Sequence, residues 1–286
     1  MRLGFIDEER TMNESSITNR YLELLKDTLV GWGKDEYVPI KPGSSQLKNL
    51  AKTLINKAGS TSGVVLMRKI PFDAETRKRG RDHPVDAFTM IGTDRLDNIR
   101  YCTHTVIREG VPGDFVETGV WRGGASIFMR AILEAFGDTN RVVWCADSFQ
   151  GLPAPNVKEF PEDKDADWHL NPTLAIPLEE VKKNFQRFDL LDDRVKFLVG
   201  WFSDTLATAP ISQIAILRLD GDMYESTMDA LHPLYPKVSS GGFVIVDDYG
   251  IPQDACRRAV HDYRAQHNIR EPIIDIDGWG VYWRKE

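Results

Sequence analysis

The sequence predicts an α/β fold with a parallel, doubly wound sheet, because short apolar runs alternate with amphipathic helical segments along most of the chain. Two of the apolar runs also end in acids. Residues 214–219 are followed by Asp220 and Asp222, and residues 243–246 by Asp247 and Asp248. Ligands of open parallel sheets bind outside the carboxyl ends of the strands. We therefore expect these acids to lie together at the functional edge of the sheet.

The first 75 residues differ from the rest of the chain. Apolar residues recur at helical spacing in residues 21–30 and 46–55, and a Gly/Pro-containing stretch separates the two segments. No catalytic motif occurs here. We expect residues 1–75 to form a helical N-terminal extension that serves as a lid or as an oligomer contact.

Residues 76–286 carry the predicted sheet. A polar, Pro-containing stretch at residues 151–177 is too long for an ordinary connection between a strand and a helix, which indicates a functional loop. The predicted helices cover residues 94–109, 125–136, 178–188, 227–234 and 252–267. The predicted strands cover residues 113–117, 141–146, 195–199, 214–219 and 243–246, with a hairpin-like pair at residues 273–283.

Composition and charge exclude several classes of protein. The 286-residue chain carries a net charge of −7, which argues against a nucleic-acid-binding or anionic-membrane-binding surface. Its three cysteines lack metal-ligand spacing, and Cys145 lies in an apolar run, so reduced core cysteines are expected. No signal segment and no long apolar span is present. The expectation is a soluble, cytoplasmic protein without a nucleic-acid or membrane partner.

The acids at the strand ends suggest a metal site. Carboxylates gathered at one edge repel one another unless a cation or a proton lies among them. A set of oxygen ligands suits a hard cation such as Mg²⁺. The alternative is that these acids only cap the following helices, which accounts for one Asp per strand more easily than for two acidic pairs.

A glycine turn follows the predicted strand at residues 113–117. Glu117 ends the strand and Gly119 lies in the turn, while Asp147 ends the next strand. The turn matches neither the dinucleotide-binding nor the P-loop pattern. An acid beside the turn suits an amino group or ribose hydroxyls better than a phosphate, so S-adenosylmethionine is the expected ligand. The alternative is a turn whose glycines serve packing only.

Four motifs together resemble one known family, the macrocin O-methyltransferases, which include the tylosin, mycinamicin and novobiocin sugar methyltransferases. They are FVETGVWRGG at residues 115–124, ADSFQGLP at 146–153, LDGDMYEST at 219–227 and GGFVIVDDY at 241–249. The resemblance implies a Class I S-adenosylmethionine-dependent methyltransferase fold. It also implies Mg²⁺-dependent methyl transfer to a sugar hydroxyl of a glycosylated natural product in antibiotic biosynthesis, and a homo-oligomer.

The same resemblance assigns roles to individual residues. The implied metal ligands are Asp220, Asp247 and Asp248. His169, in the long loop, matches the family's base, and Asp222 is the other candidate for the base. The implied cosubstrate-binding residues are Glu117, Thr118, Gly119, Asp147, Ser148, Trp201, Asp220 and, in a mobile loop at residues 81–92, Met90.

Two other functions remain open at this point. A catechol-type methyltransferase would share the fold, the metal and the cosubstrate, but would act on a phenolic hydroxyl. A noncatalytic nucleotide-binding scaffold would have no need for clustered carboxylates.

Overall fold

A computed structural model describes residues 16–39, 67–82 and 84–286. Seven strands form the main sheet in the order β5-β4-β3-β6-β7-β9-β8, and β1 and β2 form a separate two-stranded antiparallel sheet. The bounds are β1 Glu36–Pro39, β2 Met67–Ile70, β3 Asp114–Thr118, β4 Val143–Asp147, β5 Val195–Val199, β6 Ile214–Leu219, β7 Val238–Val246, β8 Ile274–Asp275 and β9 Val281–Arg284.

The five strands β3 to β7 run parallel, whereas β9 is antiparallel to both of its neighbours. Parallel neighbours need crossover connections, and most of these contain helices. The helices are α1 Ser16–Val30, α2 Ala74–Lys78, α3 Thr93–Arg108, α4 Gly124–Ala135, α5 Leu178–Arg187, α6 Phe202–Thr205, α7 Tyr224–Leu234 and α8 Ala255–Gln266.

The sheet lies between two hydrophobic clusters because successive strand residues point to opposite faces. In β7, Phe243 and Ile245 belong to the cluster that contains residues of α1, α3, α4 and α5, whereas Val244 and Val246 belong to the cluster formed with α7 and α8. All four of these side chains are buried. The doubly wound α/β architecture expected from the sequence is confirmed.

Helix α1 confirms the predicted helical segment at residues 21–30. Its buried residues Leu22, Leu25, Leu29 and Val30 belong to the same cluster as one face of the sheet. The predicted helix at residues 46–55 lies outside the described residues. Within the described ranges, every helix is too short or too polar to cross a lipid bilayer.

The order of the strands reverses between the neighbouring strands β3 and β6, and one glycine allows the close approach of their ends. Gly119 has φ +81°, and a Cβ atom at this position would lie 1.7 Å from the carbonyl oxygen of Asp220. Any other residue would therefore force the two strand ends apart. The crevice at this switch point is where α/β sheets bind ligands.

Several elements differ from the sequence prediction. Strand β7 begins at Val238, five residues earlier than predicted, and includes four polar or glycine residues, at positions 239–242, that an apolar pattern does not detect. Helix α7 continues through Pro233, near its end. The sequence did not predict four short elements, since four or five residues show too little periodicity: the antiparallel strands β1 and β2 and the helices α2 and α6.

Candidate active site

The carboxyl ends of the parallel strands enclose a cavity of about 250 Å³. The residues after β3, β4, β5 and β6 supply much of its wall, as the switch-point rule predicts. The sequence-predicted residues that line it are Met90, Gly119, Asp147, Ser148, Trp201, Asp220 and Asp222.

Three carboxylates gather beside this cavity. Oxygens of Asp220, Asp222 and Asp248 all lie within 4.8 Å of one another. Asp222 adopts a left-handed backbone with φ 57°, which Asp tolerates better than most residues. Its N–H donates to Asp248 Oδ2 at 3.0 Å. The backbone of the loop after β6 is thus fixed against the loop after β7.

The electrostatics of this group favour a positive charge or protons. Burial, followed by repulsion from Asp247, raises the pKa of Asp220 to about 6. Burial and repulsion from Asp220 raise the pKa of Asp222 to about 8. The pKa of Asp248 is also raised far above its usual range, first by burial and then by Asp222. The arrangement can therefore hold a cation, or a proton that it exchanges with a ligand.

Asp247, the other predicted metal ligand, contacts two buried arginines. Arg95 Nη1 lies 2.5 Å from its Oδ2, and Arg218 Nη2 lies 2.6 Å from its Oδ1. Oδ1 nevertheless accepts no well-directed hydrogen bond from any residue that the structure describes. This oxygen is consistent with a further ligand, although Asp247 does not belong to the cluster of three.

Glu117 faces the protein interior. Its Oε1 accepts a hydrogen bond from Arg218 at 2.5 Å, and its Oε2 accepts one from the Ser126 hydroxyl. Burial raises the pKa of Glu117 to about 7 despite the arginine. Neither Glu117 nor Thr118 lines the cavity, although both were predicted to bind the cosubstrate.

Asp147 lines the cavity and also shapes the glycine turn. Its Oδ2 accepts from the N–H of Val120 at 2.7 Å and of Trp121 at 3.3 Å, and its Oδ1 accepts from Phe149 at 2.7 Å. Burial raises the pKa of Asp147, while these backbone N–H groups act in the opposite direction. One carboxylate thus holds the turns after β3 and β4 together.

His169 lies in a short 3₁₀ turn, Trp168–Leu170, within the long loop. Its side chain is exposed, and it is not among the residues that line the cavity, whereas Leu174 from the same loop is. Of the two predicted bases, only Asp222 reaches the cavity wall.

Sequence reasoning missed four residues that support the site. Arg95 and Arg218 pair with the buried acids, and an arginine inside an apolar strand was a usable signal for Arg218. Asp163, in the long loop, is fully buried and accepts from the N–H groups of Tyr224 at 2.7 Å and Glu225 at 3.0 Å. Arg122 follows Trp121 in the glycine turn, and nothing in its local sequence marked it.

The chain is similar in sequence to known proteins over most of its length. The family model described as macrocin-O-methyltransferase (TylF) matches residues 18–285. A tetracenomycin-C rhamnosyl 4'-O-methyltransferase from Streptomyces olivaceus is 59% identical over 74% of this chain and 81% of that protein. The mycinamicin III 3''-O-methyltransferase from Micromonospora griseorubida is 51% identical over 77% of this chain and 87% of its own length.

Solved structures agree with the sequence relatives. The O-methyltransferase NovP superposes with a TM-score of 0.78 at 44% identity, covering 94% of this chain and 99% of NovP. The calicheamicin methyltransferase CalS11 superposes with a TM-score of 0.56 at 19% identity, covering 87% of this chain and 95% of CalS11, which supports the fold alone.

Proposed function

Because the chain belongs to the macrocin-O-methyltransferase (TylF) family, we propose that it methylates a sugar hydroxyl of a glycosylated natural product, using Mg²⁺ held by strand-end carboxylates. It is an S-adenosylmethionine-dependent O-methyltransferase with a Class I methyltransferase fold. This membership decides against the noncatalytic scaffold. The acceptor, the metal and the role of each residue are the proposed parts.

The carboxylate cluster beside the cavity is the observation that carries the proposal. Asp220 and Asp222 line the same cavity as Gly119 and Trp121 of the glycine turn, so the acids adjoin the space available for the cosubstrate. Asp248 is buried, whereas Asp220 and Asp222 are partly buried. Acids that are withdrawn from water and lie close to one another reduce stability, and such groups concentrate at functional sites.

The donor set fits a hard divalent cation. Asp220 and Asp248 would hold it, together with an oxygen of Asp222 or with Oδ1 of Asp247, which also lies 2.6 Å from Arg218 Nη2. When bound, Mg²⁺ lowers the pKa of a coordinated hydroxyl and compensates the charge of the surrounding carboxylates. The arginines at Asp247 orient this carboxylate, as partners in the outer shell of a metal site do.

Asp222 is the better candidate for the base. It lines the cavity, its backbone is fixed by Asp248, and its pKa of about 8 without a cation lies close to neutrality, where a general base is effective. It would accept the proton of the acceptor hydroxyl as the oxygen attacks the sulfonium methyl group. His169 would need the long loop to move before it could serve in this role.

Cosubstrate residues are proposed from the cavity wall. Gly119 gives the ligand close access to the backbone, and Trp201, which is 37% exposed, offers an aromatic face. Ser148 donates to the carbonyl oxygen of Gly151 and so shapes the adjoining turn. Met90 reaches the cavity from the loop before α3. Glu117 and Thr118 would support the turn from within.

The sugar acceptor rests on the relatives. Three curated relatives at 51–59% identity are named for tetracenomycin, mycinamicin and novobiocin substrates, and the first name specifies a rhamnosyl group. Turnover of a catechol in preference to rhamnosyl or noviosyl glycosides would support the catechol-type alternative.

Isothermal titration of S-adenosylhomocysteine and MgCl₂ tests the site. We expect wild type to bind both, and Asp248→Asn to keep S-adenosylhomocysteine but lose Mg²⁺. Asp193→Asn is a matched control, since Asp193 is exposed before β5 at the opposite edge of the sheet. If wild type does not bind S-adenosylhomocysteine, the assignment of the cavity is contradicted. If it binds S-adenosylhomocysteine but not Mg²⁺, the proposed metal site is contradicted.

Steady-state kinetics of Asp222→Asn and His169→Asn separate the two bases. We expect Asp222→Asn to lower kcat about 10²-fold or more, as the loss of a general base does. His169→Asn should change kcat by less than about threefold, because an exposed side chain outside the cavity contributes little. The opposite ranking would return the role to His169.

We further propose a homo-oligomer, with residues 1–75 as its contact or lid region. The observation in favour is the exposed apolar set on α1, which includes Ile17 and Leu24. Light scattering after size-exclusion chromatography measures the assembly, and a monomer at micromolar concentration would contradict this proposal.

A further inference from the structure

We propose that Trp121 and Arg122, adjacent residues of the glycine turn, are positioning residues that fasten the two loops covering the cavity. Trp121 holds the loop of residues 148–177, and Arg122 holds the loop of residues 84–92. A cosubstrate that fixes the turn would thereby tighten both loops at once. The inference rests on the proposed placement of the cosubstrate in this cavity.

The evidence for Trp121 begins with its backbone. Its φ of 48° lies in the left-handed region, where the backbone of a bulky residue is strained, so the surrounding structure must impose it. The imposed conformation directs the indole to the long loop, where Nε1 donates to the carbonyl oxygen of Thr173 at 2.9 Å. The next residue, Leu174, lines the cavity together with Trp121.

Arg122 reaches the other loop. Its Nη1 donates to the carbonyl oxygens of Val85 at 2.5 Å and Ala87 at 2.8 Å. Gly124, the first residue of α4, adds a backbone hydrogen bond to the carbonyl oxygen of Phe88 at 2.9 Å. Met90 lies just beyond these contacts and lines the cavity.

The two residues also contact each other. The Arg122 guanidinium lies 4.4 Å from the centre of the Trp121 ring, a distance at which a cation–π interaction is favourable. Both residues lie between Gly119 and Gly123, which have φ of +81° and +90°. The turn's geometry therefore sets the direction of both side chains, and a ligand that fixes the turn would fix both loops.

The proposed effect of the ligand can be measured as a change in how often each loop opens. If ligand binding strengthens the contacts of a loop, the loop opens less often in the complex. A single hydrogen bond of ordinary strength corresponds to about a fivefold change in that opening equilibrium. Loss of the donor should remove that part of the ligand's effect on its own loop only.

Hydrogen exchange of the full chain, with and without saturating S-adenosylhomocysteine, tests the inference. In wild type we expect the ligand to slow exchange in residues 165–176 and in residues 84–91. Trp121→Phe keeps a ring but has no N–H, and should reduce the slowing of residues 165–176 about fivefold while leaving residues 84–91 unchanged. Arg122→Gln should do the reverse.

Trp144→Phe is the matched control. In wild type, the indole Nε1 of Trp144 donates to Asp114 Oδ2 at 2.9 Å, and Trp144 does not line the cavity. The same substitution therefore removes a hydrogen bond of equal length elsewhere. We expect both loops to respond to the ligand as in wild type. A response of Trp144→Phe like that of Trp121→Phe would mean a general loss of stability and would overturn the inference.

Two further outcomes distinguish this inference from the proposed function. Binding of S-adenosylhomocysteine by wild type with equal slowing of both loops in all variants would overturn the fastening role alone. No binding by wild type would overturn both. If Trp121→Phe does not fold, Arg122→Gln still decides, because its partly exposed side chain belongs to neither hydrophobic cluster.

Discussion

At the carboxyl edge of the sheet, the acids of one half contact buried arginines, whereas the acids of the other half contact mainly one another. In one half, which we call the paired half, Glu117, Asp247 and Asp277 contact the buried guanidinium groups of Arg95 and Arg218. In the other, the unpaired half, Asp222 and Asp248 lie next to each other and to Asp220. Asp220 lies at the border, since Arg218 Nη2 is 2.9 Å from its Oδ2.

The difference separates structural acids from functional ones. A carboxylate that contacts a buried arginine holds strands together, and its removal leaves a buried charge. Carboxylates that contact mainly one another weaken the folded state. At Asp222 and Asp248, repulsion from other carboxylates adds to burial in raising the pKa, whereas at Glu117 the arginine opposes burial, so the unpaired acids are the ones free to bind a cation or a proton. Strand-end position alone does not distinguish the two kinds.

The largest expected effect comes from breaking the paired half. Arg218→Met should lower the free energy of unfolding by about 3–5 kcal/mol, because Glu117 and Asp247 would remain buried without their shared partner. Urea unfolding followed by circular dichroism measures the change. Arg284→Met is the control: this arginine pairs with Glu109 on the surface, and its loss should cost less than about 1 kcal/mol. Equal effects would mean that the buried network contributes nothing special.

Neutralising one acid in each half should change stability in opposite directions. Asp247→Asn removes the charge that faces two arginines, and we expect it to destabilise the metal-free protein by about 1–3 kcal/mol. Asp248→Asn removes repulsion in the unpaired half and should stabilise it by up to about 1 kcal/mol, as substitutions in functional sites often do. Thermal unfolding in EDTA compares them. Destabilisation by both would contradict the division into halves.

The unpaired half should also give the metal-free protein a specific pH dependence. Folding raises the pKa of Asp222 to about 8 from about 3.9 in the unfolded chain, so the folded state holds the proton more tightly. The stability difference between wild type and Asp222→Asn should therefore fall as pH rises from about 4 to about 8, and then level off. The full pKa difference corresponds to about 5–6 kcal/mol. Because Asp222 is partly exposed to solvent, which weakens its electrostatic interactions, we expect a smaller change, of about 1–2 kcal/mol in EDTA, and Mg²⁺ should reduce it. A flat difference would mean that Asp222 titrates normally.

Much of the fold was predictable because it depends on local pattern. The alternation of apolar runs and helical segments gave the parallel strands, and the acids after β6 and β7 were correctly expected to meet at one edge. The glycine turn was also recognisable, since Gly119 is required by a close backbone approach that short-range sequence encodes.

The pairing of charges was not predictable from local pattern. Arg95 lies 152 residues before Asp247, and only the folded sheet brings them together. For the same reason the contacts of Glu117 with Arg218 and Ser126 inside the protein could not be anticipated from the sequence. The direction of a strand-end side chain depends on which long-range partner lies beside it in the folded protein. The sequence predicts that acids meet at the edge, but not which of them remain available.

Asp163 has a consequence for the order in which the chain folds. This buried carboxylate from the loop after β4 caps the first turn of α7, and its partners lie 61 and 62 residues later. These two hydrogen bonds of the long loop therefore form only after β6 and α7 are in place, which makes them a late step that carries the closure entropy of the intervening chain. During synthesis, the segment that shapes the cavity would emerge early and remain sensitive to proteases until the second half of the sheet docks.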